Sequence, residues 1–143
     1  MEDTPRGRQD ANHCFVCGPE NPQGLRIAFR MDGAVCRGEF TPSPHHAGFD
    51  NTTHGGIVFS TLDDVMANWL FLQGARGFTA KCEIRYRKPL PVGTPIELEC
   101  VLKQRKGRLF LFESTARRRD DHSLVATAEA SFMVDDFGQL ALE

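Results

Sequence analysis

The chain has 143 residues, of which 17 are Lys or Arg and 19 are Asp or Glu, for a net charge of −2; that length sets the expectation at one domain, and that balance excludes a nucleic-acid binder held by bulk positive charge. Hydrophobic residues make up 41% and Phe alone contributes 11, with a mean hydropathy of −0.34, a globular composition rather than a disordered or membrane one. Residues 1–10 are polar and mixed in charge, with neither the apolar run of a secretion signal nor an Arg- and Ser-rich import pattern, so a cytoplasmic domain spanning 1–143, with a flexible polar N-terminus over 1–12, is expected.

In chain order, residues 17–24 carry two Gly and two Pro and read as a loop. Strands are predicted over 25–31 and 34–40, joined as a hairpin at Asp32-Gly33. Residues 41–53 return to loop, with Pro, Gly, Asp and Asn too closely spaced for a regular element. From Gly55 to about Leu72 one helix is predicted, apolar nearly all round through Ile57, Val58, Leu62, Val65, Met66, Trp69 and Leu70, and therefore buried. Asp63, Asp64 and Asn68 interrupt it too centrally for a membrane span.

Gly74 suits the helix stop, and residues 78–87 then alternate, with Phe78, Ala80, Cys82, Ile84 and Tyr86 against Thr79, Lys81, Glu83, Arg85 and Arg87. Further strands are predicted over 96–103, 108–117 and 124–134, separated by turns at 104–107 and around 119–122. Leu124, Ala126, Ala128, Ala130 and Phe132 share one face of the last strand, small enough to let a helix lie close. Two short strands, one long apolar helix and four long strands predict an α+β fold: a curved antiparallel sheet of about six strands wrapped around a central helix. The five cysteines are an odd number, and Cys82 and Cys100 fall at inward strand positions, so reduced thiols are expected.

The chemically informative stretch is Thr53-His54-Gly55-Gly56 and the helix it opens. The first amides of a helix lack intrahelical partners and carry the positive end of its dipole. Two glycines leave them unshielded, a setting for the oxyanion that forms when an acyl carbonyl is attacked; the same glycines also suit close helix-to-sheet packing. Asp63, between Leu62 and Val65 in a buried helix, marks a site because an unpaired buried carboxylate is costly. Asp64 is expected on the polar stripe of the helix. Eight positions separate Gly55 from Asp63, or about 12 Å along the axis. If both act on one carbonyl, they come from two subunits across a two-fold axis, which makes a dimer a requirement of the mechanism.

His54-Gly-Gly-Ile-Val-Phe-Ser-Thr-Leu-Asp63-Asp64, with Thr79 sixteen positions beyond Asp63 and a strand running into Tyr86-Arg-Lys-Pro89-Leu-Pro-Val-Gly93, resembles the hotdog-fold acyl-CoA thioesterases of the PaaI-like group. Its spacing is similar to that of mammalian thioesterase superfamily members using a His, Asp and Thr/Ser set. The opening Cys14-Phe-Val-Cys17-Gly-Pro-Glu-Asn-Pro-Gln-Gly-Leu25 is similar to the start of a bacterial subset. The likeness runs from about Cys14 to Met133.

That resemblance implies hydrolysis of an acyl-CoA thioester by a homodimer or a dimer of dimers, with no cofactor, metal, nucleic acid or membrane. Gly55 would donate its amide to the thioester oxygen, and His54 would shape or polarise that pocket. Asp63 of the facing subunit would act as nucleophile or general base, and Thr79 would position the water or the carboxylate. Where some relatives carry Asn or Gln six positions before the His, this chain has Gly48, leaving Asn51 as the substitute. Gly56, Asn51 and His46 are expected to border the substrate, Met66 and Trp69 (with Phe71) to flank its tail, and Arg108 to meet the CoA phosphates, with Arg105, Lys106 and 117–119 on neighbouring hairpin ends.

Two rival readings keep the fold: a non-catalytic acyl-CoA binding or sensing module, and a hydratase or dehydratase using the His45-His46 loop. Cys14 and Cys17, with His13 and His45-His46, offer four zinc ligands on paper, but a tight turn without metal is the expectation.

Overall fold

The computed structural model describes residues 10–140. The polar N-terminus expected over 1–12 lies outside that range except for 10–12, where the Asn12 carbonyl accepts the Glu20 N–H at 3.0 Å. Six strands form one antiparallel sheet: β1 (Arg30–Asp32), β2 (Val35–Phe40), β3 (Arg76–Tyr86), β4 (Ile96–Lys106), β5 (Leu109–Arg118) and β6 (Leu124–Asp136). Their order is β1-β2-β4-β5-β6-β3. A single long helix, α1 (Gly55–Phe71), packs against five of the six strands. This is the hotdog architecture that the resemblance implies.

The helix forms because its apolar residues are dense enough to face the sheet on one side and the N-terminal segment on the other. Leu62, Val65, Met66 and Leu70 are fully buried against Phe110, Phe112 and Phe132, and Ala126, Ala128 and Ala130 of β6 are the small residues that let it settle. Only Gly56 of the helix is exposed. It ends at Leu72, and Gly74, at a φ of 81°, turns the chain toward β3.

Three local expectations are corrected. Residues 25–29 do not join the sheet, because the Leu25 and Ile27 N–H groups donate instead to Phe15 and Val16 carbonyls at 2.8 and 2.9 Å. The first hairpin closes on Asp32 and Val35, so its turn residues are Gly33 and Ala34; Gly33 has a positive φ of 63° and Ala34 does not, the pattern of a type II′ connection. Likewise Lys106 pairs with Leu109, placing the β4–β5 turn at Gly107-Arg108, later than the expected 104–107.

The consequential departure is in β3. Clean alternation would place Phe78 and Ala80 inside and Thr79 outside. A bulge between Thr79 and Lys81 breaks the alternation. Thr79 pairs with buried Phe132, and beyond the bulge Cys82, Ile84 and Tyr86 pair with buried Ala130, Ala128 and Ala126, so all four share the helix-facing side. Phe78, paired with half-exposed Met133, is turned outward and 60% exposed.

Candidate active site

Short backbone bonds position the start of α1. The His54 N–H donates to the His46 carbonyl at 2.8 Å, the Gly48 N–H to Thr52 at 2.8 Å, and the Thr53 N–H to Leu90 at 2.8 Å. The loop is thereby strapped to the turn that precedes β4. His54 then caps the helix: its Nδ1 accepts the Gly56 N–H at 2.8 Å. The cap favours a small residue at Gly56, since a Cβ there would sit 3.1 Å from that nitrogen, and the loop does so at Gly48, where a Cβ would sit 3.2 Å from the His54 Cα. With Nδ1 accepting, a neutral imidazole carries its proton on Nε2.

The Gly56 amide is therefore committed to the cap. The Gly55 N–H, by contrast, has no partner among the described residues. The Gly55 carbonyl accepts the Tyr86 hydroxyl at 2.8 Å, pinning the end of the helix to β3. Burial raises the pKa of Tyr86, so it stays a donor. Tyr86 was not singled out from the sequence; its place as the last inward residue of β3 was the available signal.

Two turns further along, the Thr79 hydroxyl donates to Asp63 Oδ1 at 2.7 Å. Asp63 is half-buried, and burial raises its pKa, while the Thr79 bond works in the opposite direction by stabilising the ionised form. The Cys82 thiol, pushed up to about 11 by burial and then by the Asp63 charge, is a further neighbour that the sequence reading missed. Asp63 and Thr79 are thus brought together as expected, and His54 and Gly55 sit together at the helix start. One continuous helix separates the two pairs by about 12 Å along its axis.

The other expected site residues fall elsewhere. His46 closes a short 3-10 turn, its Nδ1 accepting the Ser43 N–H at 2.9 Å and its ring 5.4 Å from that of Phe40; burial and His45 lower its pKa. Asn51 is exposed with a φ of 66°, and its carbonyl accepts the Val92 N–H at 3.0 Å. Met66 and Trp69 are core residues rather than pocket walls: Met66 is fully buried, and the Trp69 ring packs 5.3 Å from Phe112 while its Nε1 donates to Ala34 at 2.8 Å.

Arg108, expected to meet the CoA phosphates, sits in the β4–β5 turn. Its Nη1 donates to Val134 at 2.8 Å and its guanidinium lies over Phe137. Arg105–Arg108 and Arg117–Arg119 stand at opposite ends of β5, a strand of 10 residues or about 30 Å, so they do not form one rim; Arg118 is paired with Asp120 at 2.7 Å. Asp64 does not occupy a solvated stripe either, but faces the turn carrying Cys14 and Cys17.

Comparison with known proteins adds three likenesses and a family match. The thioesterase superfamily model matches residues 50–125, just over half of the chain. Acyl-coenzyme A thioesterase THEM5 of Mus musculus is 25% identical over 104 residues, covering 73% of this chain and 40% of that protein; the chain spans about two fifths of the length of the curated relatives it matches. A thioesterase superfamily protein of known crystal structure superposes with a TM-score of 0.78 at 27% identity, covering 85% of this chain and 63% of that one. A hypothetical thioesterase protein from Streptococcus pneumoniae TIGR4, solved with coenzyme A, shares the fold with a TM-score of 0.72 at 14% identity, covering 77% and 89%. Among the described residues no helix is long and apolar enough to cross a membrane.

Proposed function

Since the chain belongs to the thioesterase superfamily, we propose that it hydrolyses acyl-coenzyme A thioesters to a free acid and coenzyme A, as a homodimer whose two-fold axis brings Asp63 of one protomer to the helix start of the other. The observation that carries this reading is the 2.7 Å bond between Thr79 on β3 and a half-buried Asp63 on α1. β3 is the longer of the sheet's two edge strands, 11 residues against the 3 of β1, and mostly exposed. An uncovered edge of that length invites pairing with another strand, and a second copy is the symmetric way to supply one. A substrate at that seam would meet an acid from one side and helix amides from the other.

In this reading Asp63 takes a proton from water as the oxygen attacks the thioester carbon, or attacks it directly to give an acyl-aspartate anhydride that water then hydrolyses to the free acid. The carbonyl oxygen gains negative charge and is held by the Gly55 N–H, with His54 Nε2–H beside it. The C–S bond then breaks and the thiolate leaves to be protonated. Thr79 holds the carboxylate in register and keeps it ionised. The coenzyme A seen with the Streptococcus protein, and the names of the curated relatives, support this substrate class.

The test is release of free thiol from a panel of acyl-CoAs by the wild-type protein, Asp63→Asn and Asp63→Ala. A loss of roughly 10²–10⁴-fold in kcat with substrate still bound is the expected outcome. Tight acyl-CoA binding without turnover in the wild type would instead identify a binding module, and full activity in a monomer would overturn the two-subunit site.

A further inference from the structure

We propose that Cys14, Cys17 and Asp64 form a site for a thiophilic divalent cation of the zinc type, fastening the N-terminal turn to α1. The three side chains come from segments 50 positions apart, yet one ligand atom from each lies within 4.8 Å of the others. Cys14 Sγ stands 3.8 Å from both Asp64 oxygens. Two ligands of a tetrahedral zinc ion, sulfur at about 2.3 Å and oxygen at about 2.0 Å from the metal, are about 3.5 Å apart. The Cys14–Asp64 edge is therefore close to that of such a tetrahedron, and the other two edges lie within 4.8 Å, so a contraction of about 1 Å or less closes the triangle.

The surrounding bonds fit ionised ligands. The Cys17 N–H donates to Cys14 Sγ at 3.4 Å and the Cys14 thiol donates to Asp64, so the turn already directs a backbone donor at the sulfur that a metal would hold as thiolate. Asn68, one helical turn beyond Asp64, directs its Nδ2 to the Asp64 carboxylate at 3.0 Å and to Cys17 Sγ at 3.6 Å, orienting both. The Cys14 carbonyl accepts the Gly18 N–H at 2.9 Å, and a Cβ at Gly18 would fall 2.4 Å from the Cys14 nitrogen, so the turn requires glycine there. Two thiolates and one carboxylate select zinc over magnesium or calcium, and leave the fourth tetrahedral position to a water or an exogenous ligand. The Asn12 side-chain oxygen, at the base of the same turn, is buried with no hydrogen-bond partner among the described residues.

The site is separate from the proposed chemistry. Successive residues of a helix point about 100° apart, so Asp63 meets β3 while Asp64 meets the N-terminal turn. The sequence led to a turn without metal, with His45 and His46 as the alternative partners of the cysteines; those histidines lie in the 3-10 turn before α1, and the third ligand proposed here comes from the helix.

The experiment uses the full chain, kept reduced with a phosphine, stripped with chelator and titrated with cobalt(II). One equivalent is expected to bind, with a near-ultraviolet thiolate-to-cobalt band of two-thiolate intensity and the visible bands of a tetrahedral site, all displaced by zinc. Zinc is expected to raise the melting temperature by several degrees. Cys17→Ser should halve the band and Asp64→Ala should weaken cobalt binding at least tenfold while leaving both thiolates on the metal. A folded, reduced wild-type protein that gives no charge-transfer band overturns the proposal without reference to any variant. A band unchanged in Cys14→Ser/Cys17→Ser, which places the metal elsewhere, overturns it equally.

Discussion

Thr79→Val removes one hydroxyl and keeps the shape of the side chain, so it isolates the bond to Asp63. In the wild type, burial favours the protonated acid and the 2.7 Å bond from Thr79 favours the ionised one. A hydrogen bond to a charged group contributes about 1.5–3 kcal/mol, and with Thr79 itself exposed the lower end applies. An energy of about 1.4 kcal/mol is a tenfold change in equilibrium. On the acid side of the pH profile, where ionised Asp63 limits the rate, kcat/KM of the valine variant should fall about tenfold below wild type. The gap should narrow as pH rises and Asp63 ionises in both proteins, leaving only what Thr79 adds by orientation. Thr79→Ser, which restores the hydroxyl, should restore the acid limb. The assay is thiol release from one acyl-CoA across the pH range over which the protein stays folded. A wild-type-to-variant ratio that does not change with pH would refute the argument, because Thr79 would then not act through the ionisation of Asp63.

Four further outcomes follow from the same geometry. Because the folded pKa of Asp63 is raised, its contribution to stability is complete below the unfolded carboxylate value and is lost as pH rises through the folded one; Asp63→Asn should therefore melt a few degrees above wild type at neutral pH, and that advantage should vanish in acid. His54→Ala removes the side-chain acceptor of the Gly56 N–H and should cost about 1 kcal/mol in urea unfolding, with KM and kcat both disturbed. Phe78, exposed on the β3 edge, should tolerate Phe78→Glu in stability, while light scattering shows a shift to monomer and activity falls with it. Cys36 and Cys100, a fully buried cross-strand pair, have thiol pKa values driven upward by burial, that of Cys36 to about 12, and should resist alkylation until the protein unfolds, as peptide mass mapping would show.

Much of the site was legible in local sequence. Gly55-Gly56 marked the helix start, and Asp63 stood out because a carboxylate in an apolar helix needs a partner, whereas the capping of the helix by His54 was seen only in the structure. Thr79 was pointed to only by the family resemblance, since alternation assigned it to the wet face. The bulge that turns it inward leaves no mark in the side-chain pattern, being a property of the pairing between β3 and β6. Tyr86 and Cys82 share that helix-facing side. Arg108 and the Arg117–Arg119 group misled for a related reason: hairpin ends look adjacent along a meander, whereas one strand separates them in space.

What the sequence by itself determined was the long helix, most of the strands and the position of a buried carboxylate, because periodicity, glycine placement and the cost of burying charge act over a few residues. Only the tertiary structure decided which side chains meet. Register, a single bulge and the approach of the N-terminal turn to α1 are set by contacts between segments far apart in the chain, and these brought Thr79 to Asp63 and Asp64 to Cys14.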